Sequence, residues 1–429
     1  MKQKDIGNLK NGDKLIYLKN KKITAMEVAN RELTKAINQF NILNTIRKAG
    51  PISRMEIAEV TSQSRASVTN ITARLIQENM IFEKTTETSS SRGRRRVLLA
   101  LNPDAANVVG VKLSAFQASF AVTNMQADVL SSLTVPVRVA IKSVEFVADL
   151  IEEGIRHCVA EARLSMKKIS GIGIGIPGFV GGENGVTYWS PLYRKGNTTL
   201  RNLIQTRFNI QTLIENDANT VTLAQQWFGE GKGVNNFLMV TVEHGVGMGI
   251  VVNGQIYRGS KGIGAEFGHM VIRPRGAPCR CGKLGCIEAY VADYRILKAA
   301  VDACKSGEWQ CKEVSSLTIE EVTDVAKKGE PCLRKIFKRG GEVLGLGISG
   351  LVQIFNPEKI IIAGEGVRAG DLLFEPMKKT IKLHTSREMY ETLQIIIQKW
   401  EDTDWARGAA SLVLQELYKS PFNRVKPVI

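Results

Sequence analysis

One His and three Cys fall within residues 269–286, in HMVIRPRGAPCRCGKLGC, although the chain holds only four His and seven Cys in 429 residues. No other stretch constrains the fold so tightly. His269, Cys279, Cys281 and Cys286 make a closed four-donor set of the kind that holds structural Zn2+. Thiolates are soft ligands, and four protein donors leave no open coordination position. The expected role is therefore structural rather than catalytic. Pro278, Gly282 and Gly285 let the chain turn back around a point. The spacing is not that of a zinc finger, so the metal is not expected to read DNA. Cys158, Cys304, Cys311 and Cys332 lie apart from the cluster and are expected to be ordinary half-buried thiols. An odd number of Cys, three of them crowded, argues against a secreted disulfide framework. The first residues show no apolar leader and no apolar run reaches bilayer length. The expectation is a cytoplasmic protein with no membrane insertion.

Charge is spread unevenly. Residues 1–102 carry 19 basic and 9 acidic side chains, which is +10 of the chain's net +16. A basic head on a nearly balanced body fits a polyanionic partner; a solubilising tail fits equally well on charge alone. Residues 1–34 are Lys-rich and weakly patterned, and are read as an extension. From Ala36, Phe40, Leu43 and Ile46 recur at helical spacing until Gly50-Pro51 stops the helix. Ser53 with Glu56 is a capping box that opens a second helix. The polar TSQS at 61–64 breaks it. A third helix carries Val68, Ile71, Leu75 and Ile76 on one face, with Arg65, Ser67, Asn70 and Arg74 facing outward. This is a helix-turn-helix pattern, although a plain three-helix bundle shares it. Arg65, Ser67 and Asn70 are the candidate base readers, since Arg pairs with guanine and Asn with adenine. The next segment, residues 80–102, favours DNA. It reads as a strand, a polar tip and a returning strand VLLAL, a wing whose tip holds Arg92, Gly93, Arg94, Arg95 and Arg96. Arginine beside glycine suits a narrow, negative minor groove.

From Asn107 the texture becomes α/β. Buried strands alternate with helices, as in VVGVKLSAFQASFAV, the helical 143–165 and ISGIGIGIPGFV. Strand TLIE runs into Asn216 and Asp217, at the strand end where α/β sheets present ligand groups. Such a pair suits a polyol, and it suits a helix cap as well. Gly245, Gly247 and Gly249 permit close backbone approach, to a ligand or within a tight turn. Glu266 precedes His269, and Glu288 follows the last Cys. A rigid metal loop would fix both as one polar wall.

Taken together these motifs resemble the ROK family of repressors, open reading frames and sugar kinases, in the branch of the NagC, Mlc and xylose repressors. CRCGKLGCIE matches its Cys-x-Cys-Gly-x-x-Gly-Cys-x-Glu signature, with EFGH upstream, Asp217 at the strand end, the IPGF turn at Pro177-Gly178, and a Ser-x-Gly-Arg wing tip at Ser91–Arg94. The resemblance covers roughly 36–429. It implies a winged helix-turn-helix followed by a two-lobed, actin-like (ribonuclease-H-like) ATPase-fold body. The domains expected are 1–34, 35–102 and 103–429, with the zinc loop at 269–288. It also implies a sugar or sugar-phosphate effector held by Asn216, Asp217, Glu266, His269 and Glu288, and a homodimer or tetramer on a double-stranded operator. The kinases' Asp-x-Gly-Gly-Thr phosphate loop aligns with Lys112-Leu-Ser-Ala-Phe116, and their Gly-Thr-Gly loop with Glu243-His244-Gly245. A carboxylate there repels a nucleotide phosphate. The expectation is thus a sugar-responsive regulator without catalytic residues. An active kinase and a regulator controlled by a sugar-transport protein are the alternatives. Arg194 and Lys195 would suit a phosphorylated ligand or form an exposed loop pair. The motifs separate neither one sugar from another nor repression from activation.

Overall fold

The computed structural model describes residues 32–85, 97–114, 116–137, 143–181, 185–192, 197–311, 313–399 and 402–418. They divide into two compact units. One is drawn from the chain up to Ala105 and from Leu414 onward, the other is Ala106–Val413.

In the first unit, helix α1 (32–49) buries Ile42, Leu43 and Ile46. Phe40 is only half-buried, because Ile42 takes the inward position. Strand β1 (Ile52–Ser53) leads into α2 (Arg54–Thr61). The capping box forms: the Glu56 amide donates to Ser53 Oγ, and the Ser53 amide donates to Glu56 Oε2 at 2.9 Å. Ser62, in the left-handed region, ends the helix. Ser64 caps α3 (Arg65–Gln77), which buries Val68, Thr72 and Leu75. Ile71 is half-buried, and Thr72 takes its expected place on the stripe. The Thr72 hydroxyl donates to Val68 O at 2.8 Å, so a polar side chain is buried without an unmet donor. Strands β2 (Ile81–Thr85) and β3 (Val97–Leu101) are the antiparallel arms of the wing, and β1 completes a three-stranded sheet. Near the other end of the chain Tyr418 returns to this unit, with the Arg47 guanidinium over its ring at 5.7 Å.

The second unit is built on two five-stranded sheets with the same plan. In the first lobe β4 (Asn107–Leu113), β5 (Gln117–Thr123) and β6 (Val129–Pro136) form an antiparallel meander. Helix α4 (Val144–Glu161) crosses to β7 (Ile169–Ile176), parallel to β4. The small hairpin β8 (Phe179–Val180) and β9 (Thr187–Trp189) and helix α5 (Leu200–Phe208) precede β10 (Thr212–Asn216), parallel to β7. Helix α6 (Asp217–Phe228) leads to the second lobe. There β11 (Phe237–Val242), β12 (Val246–Val252) and β13 (Gln255–Ile256) repeat the meander. The metal-type loop and helices α7 (Glu288–Val291), α8 (Asp293–Lys305), α9 (Ile319–Lys327) and α10 (Pro331–Phe355) form a long crossover to β14 (Lys359–Ala363). Helices α11 (Asp371–His384) and α12 (Arg387–Thr392) then lead to β15 (Gln394–Ile397). Strands β14 and β15 are parallel to β11. Helix α13 (Asp402–Leu417) closes the described chain and contributes to both units.

Each lobe has its own apolar core. Phe120, Ile151, Ile155, Ile172 and Ile174 anchor the first, and Val240, Phe267, Phe337, Leu344 and Ile362 the second. Glycines 247 and 249 serve the fold rather than a ligand. A Cβ at Gly249 would strike the Thr222 side chain and one at Gly247 would strike Thr241, so both let β12 lie tight against α6 and β11. Among the described residues no helix is long and apolar enough to cross a membrane.

Candidate effector site, metal cluster and DNA-reading face

The loop after β13 closes on itself through bridges between Val271 and Cys286 and between Pro278 and Leu284. The donor atoms of His269, Cys279, Cys281 and Cys286 all lie within 4.8 Å of one another. Cys281 Sγ stands 3.7 Å from Cys286 Sγ, and Cys279 Sγ stands 3.6 Å from His269 Nδ1. Ligands about 2.3 Å from a tetrahedral zinc lie about 3.8 Å apart, so the donors already have the separation a metal needs. The set can hold a metal ion. Burial, then the neighbouring thiols, pushes the Cys286 thiol up to about 12. Three thiols this close resist ionising together unless a cation joins them. Outside the cluster one expectation fails. Cys304 and Cys311 are bonded to each other, across a separation of seven residues that ties the end of α8 to the loop after it. Cys158 is buried, with Ser131 Oγ at 3.2 Å, and Cys332 is half-buried.

The polar wall assembles around that loop. Asn216 is the N-cap of α6: its Oδ1 accepts from the Asn219 amide at 3.3 Å, and its Nδ2 donates to Gly178 O at 3.1 Å. The helix-cap reading of this residue is therefore realised, leaving one lone pair and one N–H for a ligand. Asp217, the first residue of α6, accepts from the Ala218 amide at 3.0 Å. Burial raises its pKa, against the pull of Lys112 and Arg280. Glu266 keeps an exposed edge, but its carboxyl sits among neighbouring groups, and its pKa rises to about 7, first from that partial burial and then from the charges of Asp217 and Glu288. His269 directs Nδ1 at Cys279, which leaves Nε2 on the opposite side of the ring. Glu288 sits deeper than its sequence position suggests, at 1% exposure. Its Oε1 accepts from Arg280 Nε at 2.8 Å and from the Tyr294 hydroxyl at 3.4 Å, and its Oε2 accepts from the Val246 amide at 3.3 Å. Arg280, between two of the Cys, thus locks Glu288 in place. Sequence reasoning passed over Arg280, although its position inside the Cys-x-Cys run was the available signal.

The two altered phosphate-loop positions meet. Lys112 Nζ of β4 lies 3.7 Å from Glu243 Oε2, just after β11, and 4.3 Å from the centroid of the Trp405 ring. Lys112 is buried. An ion pair therefore bridges the two lobes at the positions that the family resemblance aligns with the kinase phosphate loops. Beside it the Phe116 ring meets His244 edge-on at 5.0 Å, and His244 meets Tyr294 at 5.4 Å. Neither contact was legible as a pair in the sequence.

Comparison with known proteins agrees with this architecture. Residues 108–416 match the ROK family and residues 36–89 match the MarR family. The chain belongs to the ROK family. It is 30% identical to the xylose repressor of Caldicellulosiruptor bescii, over 92% of this chain and 99% of that protein. It is 27% identical to the DNA-binding transcriptional dual regulator NagC of Escherichia coli, over 90% of this chain and 94% of that one. Among solved structures, a ROK family transcriptional regulator, a homolog of the E. coli Mlc protein, superposes with a TM-score of 0.77 at 28% identity, covering 90% of this chain and 97% of that one. A ROK glucokinase from Streptomyces griseus, in complex with glucose and AMPPNP, has a TM-score of 0.63 at 23% identity and covers 72% of this chain. That likeness is one of fold alone. The two regulators and the Mlc homolog named here each match at least 90% of this ROK chain, whereas the glucokinase matches 72%.

In the head of this ROK protein, Arg65 and Asn70 lie exposed on α3, together with Ala66, Thr69 and Ala73. Ser67 is half-buried, its Oγ bonded to Gln63 Oε1 at 3.3 Å. Arg74 is engaged by Glu78 and Gln39. Arg92, Gly93, Arg94 and Arg95 lie outside the described residues, as do Arg194 and Lys195.

Proposed function

We propose that this protein is a sugar-responsive DNA-binding transcriptional repressor, acting in the cytoplasm as a homodimer on a pseudo-palindromic operator. The observation that carries this is the state of the body's cleft. The sugar-side groups Asp217, Glu266 and His269 are kept around one loop, while the positions for phosphate hold a Lys112–Glu243 ion pair. The site is therefore equipped to bind a polyol and not to transfer phosphate to it. The head supplies an exposed helix α3 and a wing, which suit the major and minor grooves. Zn2+ is the metal the His269, Cys279, Cys281 and Cys286 set suits best, because three thiolates and one imidazole are its closed structural environment. Bound there, it supplies rigidity to the loop between Glu266 and Glu288. Those two carboxylates and Asp217 accept hydrogen bonds from sugar hydroxyls, and the Asn216 amide can both accept and donate. Sugar binding between the lobes biases the pair of DNA-binding heads, and the named repressors among its relatives support release as the outcome.

Fluorescence anisotropy of DNA from upstream of the protein's own gene, titrated with the full chain and then with sugars, tests this. Tight binding reversed by one sugar is the expected result. Tight binding that no sugar or sugar phosphate reverses would transfer control to a protein partner such as a sugar-transport subunit. Phosphorylation of a hexose by ATP in a coupled assay would restore the kinase reading.

A further inference from the structure

The charges in the cleft say which chemical class of sugar it takes, on the reading above that this cleft is the effector site. Four carboxylates converge there: Asp217, Glu243, Glu266 and Glu288. Asp217 acts electrostatically on Glu243 and Glu266, and Glu288 acts on Glu266, so the four are linked. Among the described residues two cations, Lys112 and Arg280, reach the same groups from within, and both are already committed. The Lys112 ammonium is paired with Glu243 and seated on the Trp405 ring. The Arg280 guanidinium is paired through two nitrogens with Glu288 and lies 5.3 Å from the Tyr294 ring centroid. Lys283, the remaining cation that acts on Glu266 and His269, is exposed on the loop. A bound metal does not reverse the balance, because a divalent ion with three thiolates and a neutral imidazole carries net negative charge.

We infer that the cleft selects a neutral, unphosphorylated sugar and rejects its phosphate ester. Sugar hydroxyls donate, and carboxylates are strong acceptors, so an uncharged polyol matches an acid-rich wall. A phosphate dianion brings acceptors to acceptors. To be held it must take Lys112 from Glu243 or Arg280 from Glu288, leaving a buried carboxylate without its counter-ion.

The test is isothermal titration of the full chain with xylose, glucose and N-acetylglucosamine, each beside its own phosphate ester. The expected result is that one free sugar binds and its ester binds weaker by on the order of a hundredfold, as one or two uncompensated charges at effective protein dielectric imply. An ester that binds as tightly as the free sugar, or more tightly, overturns the inference while leaving the effector cleft in place. If none of the six compounds binds, the effector cleft and the inference both fall. Glu243→Gln and Lys112→Met separate charge from shape. The first frees a cation and narrows the ratio of sugar to ester affinity, and the second removes one and widens it. A ratio unchanged in both variants would refute the charge explanation.

Discussion

Single side chains in this protein are governed by what they are paired with. Glu243 has an Oε1 buried without a hydrogen-bond partner, and its pKa is raised from the ordinary 4.5 to about 7, chiefly by burial and despite Lys112. The folded chain holds that proton where the unfolded chain has lost it. The contribution of Glu243 to stability therefore falls as pH rises from about 4.5 to about 7, and is level above that. In Glu243→Gln this component disappears. Chemical denaturation across that window should show a shallower pH dependence than the parent, by up to about 1.4 kcal/mol per pH unit. The four metal-type ligands set a second expectation at this scale. Purified protein should carry one equivalent of zinc by elemental analysis. Cys281→Ser should lose most of it and melt at lower temperature, and a chelator should reproduce that loss in the parent. Cys332→Ser, outside the cluster, should change neither.

At the scale of elements, the head depends on caps and on one exposed helix face. Ser53→Ala removes the hydroxyl that accepts from the Glu56 amide at the start of α2, leaving only the backbone half of the box, and should cost about 1 kcal/mol, read by thermal unfolding. Arg65→Ala and Asn70→Ala remove exposed polar groups from α3 and should each weaken operator binding by about 1–3 kcal/mol while leaving the melting temperature in place. Arg74→Ala should do less to DNA, because that guanidinium is tied to Glu78 and Gln39. Equal losses from all three would mean that α3 contributes charge rather than base readout. Helix boundaries here were legible because caps act locally. Ser53, Ser64 and Asn216 satisfy amide groups within three residues of themselves, and that needs no knowledge of the rest of the fold.

At the scale of the molecule, the body is one lobe plan used twice, with a meander followed by two parallel strands in each sheet. The metal-type loop is inserted in the long crossover of the second lobe, next to the strand end that bears Asp217 in the first. If the proposed sugar site between the lobes controls the heads, the two binding events are coupled reciprocally. If a sugar weakens operator binding by a given factor, saturating operator DNA must weaken sugar binding by the same factor. Titrating the effector with and without operator measures both arms, and unequal factors would show that more than two states are involved.

The chain's order of motifs determined a great deal by itself. The capping box, the Cys-x-Cys run with its upstream His and the strand end at Asp217 are local patterns whose chemistry follows from residue type and spacing. The family resemblance rests on the same patterns. Helical stripes were displaced by one or two positions: Ile42 and Thr72 took inward places expected of Phe40 and Ile71, since rotation of a helix is set by what it packs against. Only the tertiary structure decided which residues pair, both across long separations and, for two cysteines, across seven residues. Lys112 meets Glu243, Arg258 meets Glu215 at 2.7 Å, and Cys304 closes on Cys311. The sequence shows that each of these residues can form a bond. Which partner it takes depends on the arrangement of strand ends and loops around the cleft, and packing of the whole chain sets that arrangement.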